Sequence, residues 1–120
     1  VCVPMSHLPA AVAEAAADIR AEGLLGPMVG HVGDGNFHAQ ILVMPGDAAE
    51  LAAAKRVATR MAERALAVGG TITGEHGVGI GKLPLMRAQH GEAISVMAAI
   101  KRALDPDNIM NPGKLVPQTN

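Results

Sequence analysis

The chain has 120 residues and a formal net charge of -1, and 49% of its residues are hydrophobic against 18% charged. This length suits a single domain with its own core, so residues 1–120 are expected to form one domain. The near-zero charge and the single aromatic residue, Phe37, exclude the basic surface and the stacking platform of a typical nucleic-acid-binding domain.

The first two thirds of the chain predict the order strand, helix, strand, strand, helix. A strand is expected over residues 1–3, a helix over 10–22, a hairpin over 29–43 and a long helix over 48–68. This order favours an α+β fold, in which helices pack on one face of an antiparallel sheet of the ferredoxin-like type.

The last third predicts a short strand over residues 71–73 and then a helical tail. Residues 74–82 alternate glycine with other residues and show neither a helical nor a strand period. A helical turn is expected over residues 86–90 and a helix over 92–104, before the turn-forming residues 107–114.

The hairpin carries the first candidate site. Asp34 and Gly35 stand between two apolar runs, which is typical of a two-residue hairpin turn and would place His31 directly opposite His38. Two opposed imidazoles offer nitrogen ligands to a metal such as Zn²⁺. Alternatively, both histidines are surface residues or hydrogen-bonded core residues without a ligand.

The alternation of side chains along a strand divides the hairpin into two faces. Asn36, His38 and Gln40 share the face of His31, whereas Phe37 and the aliphatic residues of the second strand take the other face. One face is therefore predicted to join the core and the other to carry polar chemistry.

Glu75 and His76, in the glycine-rich segment, form the second candidate site. A carboxylate added to two histidines makes a two-His-one-carboxylate set with open positions for substrate or water. Neighbouring residues of extended backbone point in opposite directions, so a metal role for one and a proton-transfer role for the other are expected. The alternative is a solvated loop without a ligand.

Three motifs, in order along the chain, carry a resemblance to a known family. GHVGDGNFH, GGTITGEHGVGIGK and LDPDNIMNPGKL, together with the opening VCVPMSHLP, resemble the C-terminal domain of FAD-linked oxidases of the vanillyl-alcohol-oxidase type. Within that family the motifs are most similar to the D-lactate dehydrogenase (cytochrome) and glycolate oxidase subunit group. The resemblance implies that the chain is the substrate- and metal-binding C-terminal fragment of a larger flavoprotein, whose FAD-binding domain lies upstream.

The resemblance also implies roles for the residues of both candidate sites. His31, His38 and Glu75 match the family's ligands of a divalent metal, with zinc or manganese as the expected ion. His76 matches the histidine proposed to act as the catalytic base.

Four further residues have implied binding roles. Asn36 and Gln40 would contact substrate. Gln40 stands where relatives that oxidise hydroxyglutarate carry a substrate-contacting asparagine, and this difference favours a smaller substrate such as lactate. Asn111 and Lys114 lie in a segment that resembles the family's tail near the flavin, although a turn that only closes the domain is equally compatible.

The implied activity is FAD-dependent oxidation of a D-2-hydroxy acid, with D-lactate to pyruvate as the leading reaction of the full-length enzyme and an inactive isolated fragment. The implied electron acceptor is a cytochrome, an electron-transfer flavoprotein or a quinone. The implied location is the cytoplasm or the inner face of a respiratory membrane, and a homodimer is compatible with the resemblance.

Two other functions stay open at this point. A metal-dependent hydrolase could use His31, His38 and Glu75 to activate water, and it would turn over substrate without a flavin. A binding or assembly module would use the histidines structurally, and it would lose little function when His31 or His76 is replaced by alanine.

Overall fold

A computed structural model describes residues 1–114 and 116 of the chain. The chain divides into two compact units, Val1–Gly74 and Glu75–Asn120, each with its own buried apolar side chains. Among the described residues, no helix combines the length and the apolar character that crossing a membrane requires.

Two long helices belong to the first unit. Helix α1 runs over Leu8–Ala21 and helix α2 over Ala48–Ala67, each close to its predicted range. The N-cap of α2 is Asp47. Its carboxylate Oδ1 accepts hydrogen bonds from the backbone amides of Ala49 and Glu50, both at 2.9 Å. These bonds satisfy amides that would otherwise have no partner at the start of the helix.

The hairpin consists of strands β1 (Met28–His31) and β2 (Asn36–Ala39) in antiparallel pairing. The register pairs His31 with Asn36, so the predicted direct pairing of His31 with His38 is wrong. The chain turns through a 3₁₀ turn at Val32–Asp34 instead of the predicted two-residue turn. The difference is a shift of two residues, which leaves the paired side chains of β1 and β2 on their predicted faces.

The N-terminal segment explains this register, because it pairs with the other edge of β2. Cys2 forms isolated bridges with Asn36 and Thr71, which are all that the structure shows of the strands predicted at residues 1–3 and 71–73. The backbone amide of Val3 donates to the carbonyl of Gly35 at 2.9 Å. Gly35 has φ +72°, and a Cβ there would lie 2.0 Å from the Val3 carbonyl oxygen. Only glycine fits this position.

The core of the first unit lies between the two helices and the apolar face of the hairpin. Phe37 on β2 is 3% exposed and shares this core with both helices. The α+β class is therefore confirmed, whereas the ferredoxin-like detail is not. The buried members of the core cluster are Val3, Leu8, Ala15, Ile19, Leu24, Phe37, Ala53, Val57, Met61 and Ala65.

Charged side chains join α1 to α2 beside this core, a feature that the sequence did not predict. Glu22, the C-cap of α1, accepts hydrogen bonds from Arg56 at 2.6 Å and from Arg60 at 2.9 Å. Asp18 pairs with Arg64 and with Arg60. The guanidinium of Arg56, followed by that of Arg60, lowers the pKa of Glu22 to about 2. The pKa of Asp18 is also lowered, chiefly by the hydrogen bond from Arg64.

The second unit is helical. It contains helices α3 (Gly79–Lys82), α4 (Met86–His90) and α5 (Ala93–Leu104), and a 3₁₀ turn at Leu83–Leu85 joins the first two. The expectation that residues 74–82 have no regular structure is therefore wrong for their last four residues. The buried side chains of this unit include Met86, Ile94 and Ala98.

Asp105 closes the end of α5 and holds the segment that follows. Its carboxylate is 4% exposed, and it accepts hydrogen bonds from the amides of Ile109 and Met110, both at 2.9 Å. Lys101 pairs with Asp105 and also donates to the carbonyl of Met110 at 2.7 Å. The nearby ammonium of Lys101 is the main cause of the lowered pKa of Asp105.

Candidate functional site

His31 and His38 lie near each other on the exposed face of the hairpin. They are diagonal neighbours in the register, because Val29, the residue opposite His38, lies two positions before His31. The ring centroids are 6.2 Å apart, and the rings are perpendicular. The structure thus brings the two imidazoles together, although by a different pairing from the predicted one.

The two imidazoles suit a divalent metal ion. Each ring offers a nitrogen, and these two atoms lie within 4.8 Å of each other. Two nitrogens bound to one Zn²⁺ ion at about 2.0–2.1 Å are separated by no more than about 4.2 Å. Because His31 is exposed and His38 is only partly buried, small rotations of the side chains can adjust this separation. The donor chemistry and the spacing therefore fit a metal.

Asn36 links the hairpin to the end of the first unit. It lies directly opposite His31 and is only 6% exposed. A Cβ at Gly74 would meet the Asn36 side chain at 2.4 Å from Oδ1, so the backbone of Gly74 passes directly against that amide. Glu75 is bonded to Gly74. Glu75, the predicted carboxylate ligand, is therefore next in sequence to Gly74, and Gly74 contacts the residue opposite His31.

Glu75 and His76 begin the second unit, and both side chains are exposed, at 45% and 68%. The backbone bends here and is not extended. His76 Nε2 lies 3.9 Å from Glu75 Oε1, so the expectation that the two side chains point in opposite directions is wrong. The two groups therefore lie on the same side of this bend, beyond hydrogen-bond distance of each other.

The remaining predicted residues lie in two places. Gln40 is exposed just after β2, on the histidine face, and its backbone amide donates to the Pro27 carbonyl at 2.9 Å. Asn111 and Lys114 are exposed in the second unit, where the Lys114 amide donates to the Asn111 carbonyl at 3.2 Å. Both residues lie in a turn, as predicted for residues 107–114, and the approach of this turn to a flavin stays a prediction.

Sequence reasoning missed the role of Gly74. Glycines beside a candidate ligand can allow the backbone to approach a bound molecule closely. At Gly74 the close neighbour is instead the side chain of Asn36. Two features of the chain could have suggested this contact. Gly74 directly precedes one candidate ligand, and the buried Asn36 lies opposite another.

Residues 1–115 match the sequence model of the family described as FAD linked oxidases, C-terminal domain. The chain belongs to this family. The GHVGDGNFH hairpin and the GEHG segment described above are therefore features of an FAD-linked oxidase domain.

Curated relatives of this FAD-linked oxidase domain are named as dehydrogenases and oxidases. A probable mitochondrial D-lactate dehydrogenase of Danio rerio is 49% identical over 120 residues, which is 99% of this chain and 24% of the relative. The mitochondrial D-lactate dehydrogenase [cytochrome] of Arabidopsis thaliana is 44% identical over 118 residues, 98% of this chain and 21% of the relative. Glycolate oxidase subunit GlcD of Escherichia coli is 42% identical over 88 residues, 72% of this chain and 18% of the relative. The chain thus spans about a fifth of the length of these relatives.

Proposed function

We propose that this FAD-linked oxidase domain holds a divalent metal and the substrate in an FAD-dependent dehydrogenase that oxidises D-lactate to pyruvate. The observation that carries the proposal is the pair of imidazoles of His31 and His38 on the exposed face of the hairpin. The names of the relatives from Danio rerio and Arabidopsis thaliana, which match nearly the whole chain, support D-lactate as the substrate.

His31, His38 and Glu75 would hold the metal, with zinc or manganese as the proposed ion. Imidazole nitrogens and a carboxylate oxygen are ligands that both ions accept. The connection of Glu75 to Gly74 supports its inclusion, because Gly74 contacts the residue opposite His31. When bound, such an ion supplies Lewis-acid polarisation of a substrate oxygen and orients the substrate.

His76 would remove the proton of the substrate hydroxyl group. Imidazole is the side chain best suited to proton transfer near neutral pH. Nε2 of His76 lies 3.9 Å from the Glu75 carboxylate, and the 68% exposure of the His76 side chain leaves it accessible to a substrate. Removal of this proton allows the electrons of the C2–H bond to leave as hydride, so that C2 becomes a carbonyl carbon. FAD, when bound, supplies the acceptor for that hydride.

Four other side chains complete the proposal. Asn36 and Gln40 share the face of the two histidines and would contact the substrate. Asn111 and Lys114, exposed in the turn after α5, would approach the flavin.

The proposed electron acceptor is a cytochrome, since two relatives, from Arabidopsis thaliana and Saccharomyces cerevisiae, are named D-lactate dehydrogenase [cytochrome]. Both names also include the word mitochondrial, which supports a proposed location beside a respiratory membrane. The homodimer stays a prediction.

The experiment uses the full-length flavoprotein that we propose contains this domain. The protein is mixed anaerobically with D-lactate while the flavin absorbance is recorded, before and after removal of divalent metal by a chelator. We expect bleaching that is lost on chelation and restored by Zn²⁺ or Mn²⁺. His31→Ala and His38→Ala should abolish bleaching, whereas the control His7→Ala, at an exposed residue outside the hairpin, should preserve it.

Each other outcome contradicts a named part of the proposal. Full bleaching after verified metal removal would leave the dehydrogenase but remove the metal role of His31 and His38. Failure of D-lactate to bleach the flavin, while glycolate or D-2-hydroxyglutarate does so, would refute the substrate. Metal-dependent hydrolysis by apoprotein without flavin would favour the hydrolase instead.

A further inference from the structure

The hairpin face that carries the two histidines also carries apolar side chains exposed to solvent. The register places Val29 directly opposite His38 and two residues before His31, so these three side chains share one face. Val29 is 53% exposed. Leu25 and Leu42 bridge each other farther along the same pair of strands and are 73% and 58% exposed.

The strand pairing stays regular between the histidines and these leucines. The amide of Gln40 donates to the carbonyl of Pro27 at 2.9 Å, and the amide of Leu42 donates to the carbonyl of Leu25 at 2.8 Å. The pairs formed by Val29 and by Leu25 are therefore on the same side of the hairpin. This face therefore carries the polar side chains of His38 and Gln40 on β2 and its continuation, and the exposed apolar side chains of Val29, Leu25 and Leu42 beside them.

We propose that Val29 contacts the alkyl group attached to C2 of the substrate, which is the C3 methyl group in D-lactate. The site would then select D-2-hydroxy acids with a small alkyl side chain. This inference rests on the proposed function, because it takes the two imidazoles to mark the position of the substrate's hydroxyl and carboxylate oxygens. The residue is proposed to determine specificity and to take no part in proton transfer.

The spacing of the strands and the burial of Asn36 support a direct contact between Val29 and the substrate's alkyl group. Residues directly opposite each other have Cβ atoms roughly 4.5–5.5 Å apart, so a molecule held at His38 lies within van der Waals reach of Val29. Asn36, the residue opposite His31, is 6% exposed and occupies the side nearer the turn. The substrate's alkyl group therefore has its open direction toward Val29.

The chemistry of Val29 determines which substituent is accepted. Burying a methyl or ethyl group against an isopropyl side chain removes apolar surface from water and is favourable. A second carboxylate packed against Val29 would lose part of its hydration and would gain no hydrogen bond from the isopropyl group, which is costly. D-Lactate and D-2-hydroxybutyrate should therefore be preferred over D-malate and D-2-hydroxyglutarate.

The test compares kcat/KM values of full-length flavoprotein variants for glycolate and D-lactate, which differ by the C3 methyl group. Val29→Ala should lower kcat/KM for D-lactate by about tenfold, the usual effect of one lost hydrocarbon contact in a pocket. The same variant should leave kcat/KM for glycolate unchanged, because glycolate has no C3 atom. Val29→Lys should raise the ratio of kcat/KM for D-malate to that for D-lactate.

Two further variants separate this contact from effects on the strand. Val29→Thr keeps the branched shape and the strand preference but has a hydroxyl group in place of one methyl group. It should also lower kcat/KM for D-lactate and leave that for glycolate unchanged. Val32→Ala is the matched control, because Val32 is 62% exposed but lies in the 3₁₀ turn outside the paired strands. Val32→Ala should change kcat/KM for neither glycolate nor D-lactate.

The outcomes distinguish this inference from the proposed function. A wild-type protein whose flavin is reduced by none of these acids refutes the proposed function and the inference with it. An active wild type in which Val29→Ala lowers glycolate and D-lactate equally refutes only the inference and gives Val29 a structural role. An unchanged ratio of the two kcat/KM values refutes it as well.

Discussion

The side-chain amide of Asn36 lies against the backbone of Gly74, so that a Cβ on Gly74 would come within 2.4 Å of Asn36 Oδ1. Asn36 is buried and pairs with His31 across the hairpin, while Gly74 precedes Glu75. This contact therefore joins the backbone just before Glu75, one proposed ligand, to the residue opposite His31, another proposed ligand. Its geometry tolerates hydrogen but not a methyl group at residue 74.

Replacing Gly74 with alanine should therefore disturb the candidate site. The buried Asn36 side chain must move, and overpacking of this kind typically costs about 1–3 kcal/mol in free energy of unfolding. Urea unfolding measures the loss. Gly33→Ala is the control, because a Cβ at Gly33 would meet no atom within 4 Å. Equal stability of the two variants would show that the contact exerts no constraint.

A bound metal should stabilise the domain through the two imidazoles. At a free Zn²⁺ concentration of about 100 times the dissociation constant, the free energy of unfolding should rise by about 2.7 kcal/mol. Thermal unfolding of the 120-residue chain, with and without Zn²⁺, measures this effect. His38→Ala should remove most of it, since a single imidazole from the hairpin remains.

The control for that measurement is His90→Ala, because His90 lies at the end of α4 in the second unit. A metal effect that His38→Ala leaves intact would place the bound ion elsewhere. No effect of Zn²⁺ or Mn²⁺ on the wild-type chain would contradict the metal role of the hairpin.

The stability of the helix pair should depend on pH through Glu22. The guanidinium groups of Arg56 and Arg60 lower the pKa of this carboxyl group from its ordinary value of 4.5 to about 2 in the folded protein. The unfolded chain therefore binds more protons than the folded chain between these values. The contribution of Glu22 to stability is complete above pH about 4.5 and is lost as the pH falls through about 2.

Thermal unfolding of wild type and Glu22→Gln between pH 7 and pH 2 measures this dependence. We expect the variant to be less stable at pH 7 and the difference to disappear toward pH 2. Glu14→Gln is the control on α1, because Glu14 is 52% exposed and pairs with Arg64 at 3.3 Å. An exposed pair of this kind contributes little to stability. A difference between Glu22→Gln and wild type that persists unchanged at pH 2 would contradict the assignment.

Asp105 should control the order of the segment after α5. Asp105→Asn removes the negative charge that pairs with Lys101 and weakens the acceptor for the amides of Ile109 and Met110. We expect these two amides to exchange with solvent deuterium roughly tenfold faster or more, because bonds to a charged acceptor are stronger than neutral ones. Asp107→Asn, at an exposed residue of the same turn, should leave both exchange rates unchanged. Equal rates in Asp105→Asn and wild type would show that other contacts hold the segment.

Local sequence patterns were sufficient for helices α1, α2, α4 and α5 and for the two faces of the hairpin. The faces follow from the two-residue period of a strand, and this period survives a register shift of two residues. Asp47 marks the start of α2 by a hydrogen-bonding role that involves only its neighbours in the chain. The family is likewise carried by motifs that match over residues 1–115.

The register and the neighbours of the candidate ligands required the tertiary structure. An Asp34-Gly35 pair favours a two-residue turn by its local conformational preference. In the fold, however, Val3 donates to the Gly35 carbonyl from a segment distant in sequence, and the chain turns through Val32–Asp34.

The sequence by itself therefore determined which side chains share a face, since backbone geometry imposes that locally. It did not determine which residue opposes His31 or what Gly74 touches. Those contacts join residues far apart in the chain, and their stability depends on the packing of the whole unit around Phe37.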